Sequence, residues 1–307
     1  MNAIETSRLT KRYGSVTALD GLNLEVEAGE VFGFLGQNGA GKTTTIDLLL
    51  DFIRPSEGHA TILGYDVQTE TDEVRERIGI LPEGFDLWER STGRRHVEFA
   101  LEATDGGGDV DTLIERVGLT PPDAKRSVGE YSKGMKQRLA MAMALAGEPE
   151  LLILDEPSSG LDPHGIRRMR EIVREEAAAG TTVFFSSHQL EQVAAVCDRV
   201  GILNEGLLVA TDSIEGLSSA AGVGNELVLE VDGPVSEGLE QLNGVVDVHT
   251  DNGELRVGYA DPQAKAQIVH HVVDCGVTVQ DFTIAEASLE ELFEVYTNGD
   301  ETGGVSA

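Results

Sequence analysis

Residues 31–52 read VFGFLGQNGAGKTTTIDLLLDF: a short apolar run, a glycine-rich turn, then a helical pattern. Within it, Gly36 to Thr43 is a complete G-x-x-x-x-G-K-T, set directly between strand and helix, the context that makes this motif credible as a phosphate loop. Gly36, Gly39 and Gly41 let backbone N–H groups converge on phosphate oxygens, and the helix N-terminus adds its dipole. Lys42 is expected to reach the β and γ phosphates and Thr43 to offer a hydroxyl to Mg2+, with Gln37, Asn38, Ala40 and Thr44 completing the loop.

Outward from this stretch, IGILP (78–82), LLILD (151–155) and TTVFFSS (181–187) read as further buried strands, each beside a helical pattern, which is an α/β sheet signature. LLILDEP ends in Asp155 and Glu156. Two carboxylates at the exit of a buried strand are costly unless a cation or a reaction uses them. Asp155 is placed to hold Mg2+ through water, and Glu156 to take a proton from an attacking water. His188 ends another strand, and in a parallel sheet the carboxyl ends share one ligand crevice, so His188 is expected beside Gly36 and Asp155, donating to the γ phosphate. Residues of about 90–147 read as helices only, an insertion into the sheet, with Met141 and Met143 as core residues of its last helix.

The 307 residues allow about two domains. Lys and Arg number 23 against 54 Asp and Glu, a formal net charge of −31, and only Lys11, Lys42, Lys125, Lys133, Lys136 and Lys265 are lysines. A 40% hydrophobic content supports a core, so the acidity belongs to a folded surface. That surface repels phosphate backbones, which argues against a nucleic-acid partner. Near 1 M salt the screening length falls to about 3 Å, so abundant acids with few lysines point to a salt-rich cytoplasm. Cys197 and Cys275 show no metal or disulfide spacing, which points to a reducing compartment. The start MNAIETSRLT has no signal-peptide pattern, and no uncharged apolar run reaches the length that spans a bilayer.

Small and turn-forming residues cluster at SIEGLSSAAGVG, placing a boundary near Gly222: a first domain at 1–221, a second at 222–297 and a frayed tail at 298–307. The second domain runs NELVLEV, a short helix around VSEGLEQL, VVDVHT and ELRVGYA joined by DNG, a helix through QAKAQIVHHVV, and VTVQDFTI. That βαββαβ order is the split βαβ of a small ferredoxin-like α+β domain, followed by an amphipathic helix in ASLEELFEVYTN.

Taken in order, these residues resemble the nucleotide-binding subunit of ABC transporters over residues 3 to 215. YSKGMKQR (131–138) looks like that family's signature loop, SSGLDP (158–163) like its D-loop, His188 like its switch histidine, and Tyr13 like the aromatic that stacks on adenine. The resemblance implies a P-loop NTPase fold with a helical subdomain, ATP as substrate and Mg2+ as cofactor. It further implies two copies packed head to tail, Ser132, Lys133, Gly134 and Met135 of one meeting the nucleotide of the other, and Ser159, Gly160, Leu161 and Asp162 at the seam. Two departures stand out. The usual LSGGQ is YSKGM here, and Glu83 replaces the usual Gln in the loop after IGILP, where a carboxylate can also ligate Mg2+ or its water. These departures and the C-terminal extension resemble the ABC-2 branch that includes daunorubicin-resistance exporters. In that branch a separate permease of about six transmembrane helices is the partner, and the ATPase sits on the inner face of the membrane. The competing reading is a soluble ABC-type ATPase outside transport. A P-loop kinase is opposed by YSKGMKQR with SSGLDP, and a module without catalysis by intact Lys42, Asp155, Glu156 and His188.

Overall fold

The computed structural model describes residues 1–104, 108–221, 225–233, 238–251, 254–259, 263–285 and 288–298. Its contacts divide the chain into two compact units, Met1–Thr211 and Asp212–Ala307. The fold of the first unit is α/β. At its centre lies a six-stranded sheet in the order Leu207–Asp212, Arg199–Asn204, Val31–Leu35, Thr182–Ser187, Leu151–Asp155, Ile78–Leu81. The pairings from Arg199–Asn204 through Ile78–Leu81 are all parallel. Helices cover such a sheet on both faces, so its strands need no alternation. Every residue of Val31–Leu35, Leu151–Asp155 and Thr182–Ser187 is accordingly buried. Phe32 and Phe34 pack on Phe184 with ring centroids 6.0 and 5.2 Å apart, each large apolar side chain contributing about 1.5–3 kcal/mol by burial.

Parallel register aligns the carboxyl ends. Leu35 lies opposite Ser187, Asp155 opposite Ser186, and Leu81 opposite Leu154. The loop after each strand therefore opens on one edge of the sheet, which is what positions the site. Between Ile78–Leu81 and Leu151–Asp155 come the expected helices, Gly93–Ala103, Val110–Arg116, Pro121–Ala124 and Lys133–Ala144, with a 3-10 turn at Val128–Glu130. Met141 is buried in the last of them, and Met143 only half-buried.

The unit also holds a second, antiparallel sheet absent from the sequence reading. Asn2–Tyr13 pairs with Val16–Leu22, Glu25–Glu27 and Glu57–Ile62, and the last of these with Tyr65–Asp66. Register shifts between Leu9 and Lys11 and between Ser7 and Thr10 break its alternation, which hides it from a period-two search.

In the second unit the sheet order is Val245–Asp251, Glu254–Tyr259, Asn225–Val231, Val279–Ala285, antiparallel throughout, the ferredoxin-like arrangement. Leu227, Leu229, Leu255, Val257 and Tyr259 alternate inward onto Ile268 and Val272 of the helix Ala264–Asp274. Two expectations are corrected. The helix around VSEGLEQL is, in its described part, a 3-10 turn, Leu239–Gln241, preceded by Gly238 at φ 129°. The boundary falls at Thr211/Asp212 and not near Gly222, which lies outside the described residues. Within the stretch where small and turn-forming residues cluster lies the helix Ile214–Ala221, which belongs to the second unit because Tyr296 Oη donates to Leu217 O at 3.1 Å and Leu217 is buried. The DNG turn at 252–253 and the tail beyond 298 also lie outside the described residues.

Candidate nucleotide site

The phosphate loop leaves Val31–Leu35 and enters the helix Lys42–Leu49. Its glycines answer to space and dihedral angle. A Cβ on Gly36 would fall 2.8 Å from the Leu203 carbonyl oxygen, and Gly41 is at φ 113° with the Ala18 carbonyl oxygen 2.7 Å from where its Cβ would be. No other residue fits either place at low cost. Gln37, Asn38, Gly39 and Thr43 are exposed, Thr44 half-buried and Ala40 buried beneath them. Lys42 is buried and curls back onto its own loop, its Nζ donating to Gly36 O at 2.6 Å and Gln37 O at 3.3 Å. Burial pushes its ammonium pKa down, partly opposed by the charges of Glu156, Asp155 and Glu83.

At the end of Leu151–Asp155, Asp155 is 3% exposed and its Oδ1 has no hydrogen-bond partner. Burial, helped by the negative charges of Glu83 and Glu156, pushes its carboxyl up to about 6 against the pull of Ser186 and Lys42. Ser186 lies opposite it on the next strand, yet its Oγ also has no partner of ordinary hydrogen-bond geometry. Glu83 is exposed, and its charge reaches both Lys42 and Asp155.

Glu156 follows at φ 48°, a strained angle for a non-glycine residue and one that persists only where the surroundings impose it. Its carboxylate is pinned. Oε1 accepts from the His188 backbone N–H at 2.9 Å and from His188 Nδ1 at 2.7 Å, and Oε2 accepts from Ser187 Oγ at 3.2 Å. Because a carboxylate only accepts, the proton of His188 sits on Nδ1 in this contact. His188 thus orients Glu156 through Nδ1 and its backbone N–H. The partner role of Ser187 carried no motif signal.

The structure brings Lys42, Thr43, Asp155, Glu156, His188 and Glu83 to one sheet edge. Tyr13 stands at the tip of the first hairpin, opposite Val16, half-exposed with Lys11 Nζ 5.0 Å from its ring centroid. The hairpin's second strand carries Ala18, whose carbonyl abuts Gly41.

The signature-like residues form a second loop at a helix start. Ser132 caps the helix Lys133–Ala144, its Oγ accepting from Met135 N–H at 3.2 Å. Ser132 and Lys133 are exposed, Gly134 and Met135 half-buried. This loop abuts residues 159–162 of its own chain. Gly134 has room for no Cβ because Gly160 O would be 2.9 Å from it, and Asp162 caps the helix Pro163–Ala179 through Gly165 N–H at 2.8 Å. Leu161 is half-buried between them.

A parallel sheet with a phosphate loop at its carboxyl edge, a buried acid on the next strand but one and a helical insertion defines a P-loop nucleotide hydrolase. A family profile described as "ABC transporter" matches residues 19–159. The chain is 37% identical to the bacitracin transport ATP-binding protein BcrA of Bacillus licheniformis, covering 98% of this chain and 99% of that one. It is 34% identical to the daunorubicin/doxorubicin resistance ATP-binding protein DrrA of Streptomyces peucetius, covering 96% and 92%. Among solved structures, an ATP-binding subunit of an ABC transporter superposes with a TM-score of 0.67 at 29% identity, over 72% of this chain and 94% of that one. The chain belongs to the ABC transporter family, in the branch of the bacitracin and daunorubicin ATP-binding proteins. It is an ATP-binding ATPase subunit.

Proposed function

We propose that this chain drives an exporter of the ABC-2 branch by closing on ATP with a second copy of itself and reopening on hydrolysis. What carries the reading is Asp155: a buried carboxylate oxygen without a partner, on the same sheet edge as the buried Lys42, is a place that needs a cation beside an anion. The residues fit Mg2+. It takes hard oxygens, usually one or two carboxylates with water and substrate phosphate, and Thr43, Asp155 and Glu83 supply that set. Among the described residues no group of three His, Cys, Asp or Glu could hold a metal alone. Bound there with ATP, Mg2+ would neutralise charge developing on the phosphates.

In this reading Lys42 exchanges the Gly36 and Gln37 carbonyls for β and γ phosphate oxygens, a swap of neutral acceptors for charged ones that favours binding. Backbone N–H groups of residues 36–44 surround the phosphates, and Tyr13 offers its exposed face to the base. Glu156 takes the proton of the attacking water while Ser187 and His188 hold its carboxylate in place. Ser132, Lys133, Gly134 and Met135 of the second copy, exposed or half-exposed, meet the γ phosphate from across the seam, with residues 159–162 beside them.

The partner permease is, as in the branch this chain resembles, a separate chain of about six transmembrane helices; among the described residues of this chain no helix is long and apolar enough to cross a membrane. Its cytoplasmic parts dock on residues 83–92 and the helical insertion, where Trp88 and Phe99 are exposed and pack edge-on at 4.8 Å. The chain then lies on the inner face of the membrane. Glu156→Gln tests the chemistry. Phosphate release should fall by about 10²–10⁴-fold with ATP still bound, and release at the unsubstituted rate would remove Glu156 as the base.

A further inference from the structure

The helix that begins at Ser132 grips the segment carrying Glu156 at successive points. Gln137 Nε2 donates to Glu156 O at 3.4 Å and to Pro157 O at 3.1 Å. Arg138 Nη2 donates to Asp162 Oδ1 at 2.9 Å. Lys133 Nζ donates to Ser159 Oγ at 3.0 Å, and the methylene stem of Lys133 covers Gly160 so closely that a Cβ there would fall 2.6 Å from Cδ. Ser159 in turn donates its N–H to Glu156 O at 3.0 Å.

These contacts have a direction. Glu156 holds φ 48° only while its surroundings impose it, and its carbonyl is fixed by Ser159 N–H and Gln137 together. A displacement of Ser159 therefore tilts the peptide that carries the carboxylate. Lys133 is the residue that connects Ser159 to the exposed end of the helix. A long ammonium side chain is a donor that can follow a moving acceptor, which a glycine at the same place lacks.

We propose that Lys133 is a positioning residue that ties the signature loop to Ser159, so that filling the site completed on a second copy is passed to Glu156 of the same chain. This rests on the two-copy reading above and adds a route between its two nucleotide sites. Coupling of that kind shows as cooperativity, with a Hill coefficient up to the number of sites, here about 2.

The test is the ATP dependence of phosphate release by the full chain. The unsubstituted protein should be sigmoidal in ATP. Lys133→Gln should lower the Hill coefficient to about 1 and shift half-saturation by about fivefold or more, with an unmoved thermal midpoint. Lys133→Arg should restore the sigmoid. Ser159→Ala should reproduce Lys133→Gln, and the double variant should be no worse than either single one. Unchanged cooperativity in Lys133→Gln, additive losses in the double variant, or a hyperbolic unsubstituted protein would overturn the proposal. Glu156→Gln separates it from the reading beneath it. If that variant pairs in ATP while Lys133→Gln stays sigmoidal, the tether alone fails; if it never pairs, the two-copy reading fails first.

Discussion

Two loops in the first unit open helices, and they differ in nearly every physical respect. The phosphate loop enters its helix through Gly41 in a left-handed conformation with no side-chain cap, and its lysine is buried and folded onto the loop's own carbonyls. The loop at Ser132 enters its helix through an extended serine that caps Met135, and its lysine is exposed and bonded to Ser159. The first is a finished cradle, with acids reaching it from the ends of other strands of the same sheet. The second faces outward and is braced from behind. A residue type and a helix start do not make a site; burial and the company of Asp155 and Glu156 do so for Lys42. For Lys133 the bracing ties an exposed helix start to the segment that carries Glu156.

Substitutions at the two loops should separate these roles. Lys42→Ala should have the largest effect, removing the buried cation of the phosphate loop and lowering nucleotide affinity of the lone chain by about 10²-fold or more. Ser132→Arg should leave that affinity unaltered and block only association, as equilibrium dialysis and sedentation-type mass measurements in parallel would show. Loss of lone-chain binding in Ser132→Arg would erase the distinction.

Next in size is Asp155→Asn. An acid whose folded pKa is raised to about 6 contributes stability that is complete below its unfolded value of about 3.9 and lost as pH climbs through about 6. At neutral pH without nucleotide, the amide should therefore be the more stable protein, by on the order of 2 kcal/mol, while losing Mg2+-dependent turnover. Thermal melts at pH 4 and pH 7 check this, since the gap should open only between them. Equal melting at pH 7 would mean that the carboxylate already has its partner.

The smallest local but broadest effect is that of salt. With a net charge of −31, the melting temperature should rise strongly as KCl approaches 1 M, where screening falls to about 3 Å. A flat response would remove the salt-rich reading.

Much of the first unit was legible because its central strands are buried on both faces and therefore read as plain apolar runs. The phosphate loop, Asp155 and Glu156 stand out where such a run ends in glycine or carboxylate. The antiparallel sheet around Asn2–Tyr13 was not legible, since its bulges interrupt the alternation a strand search relies on. The helix Ile214–Ala221 was not assigned to the second domain because Gly, Ser and Ala dominate it and mask its one inward position, Leu217. Motif spacing placed His188 at the right edge, but not its bond to Glu156, which depends on the register of two strands far apart in sequence. Nor does any motif show that Gln137, Lys133 and Arg138 all reach the segment 156–162, since that needs the helix and the loop in three dimensions.

The central claim is that one bound triphosphate is shared by two copies of the chain. Mass measurement of Glu156→Gln in solution, with and without ATP, tests it most directly. The account predicts a monomer without nucleotide, a doubled mass with Mg2+ and ATP, and a return to the monomer when Ser132→Arg is added. A mass that stays single in ATP at every protein concentration, while the unsubstituted chain hydrolyses ATP at a rate per chain independent of dilution, would contradict it.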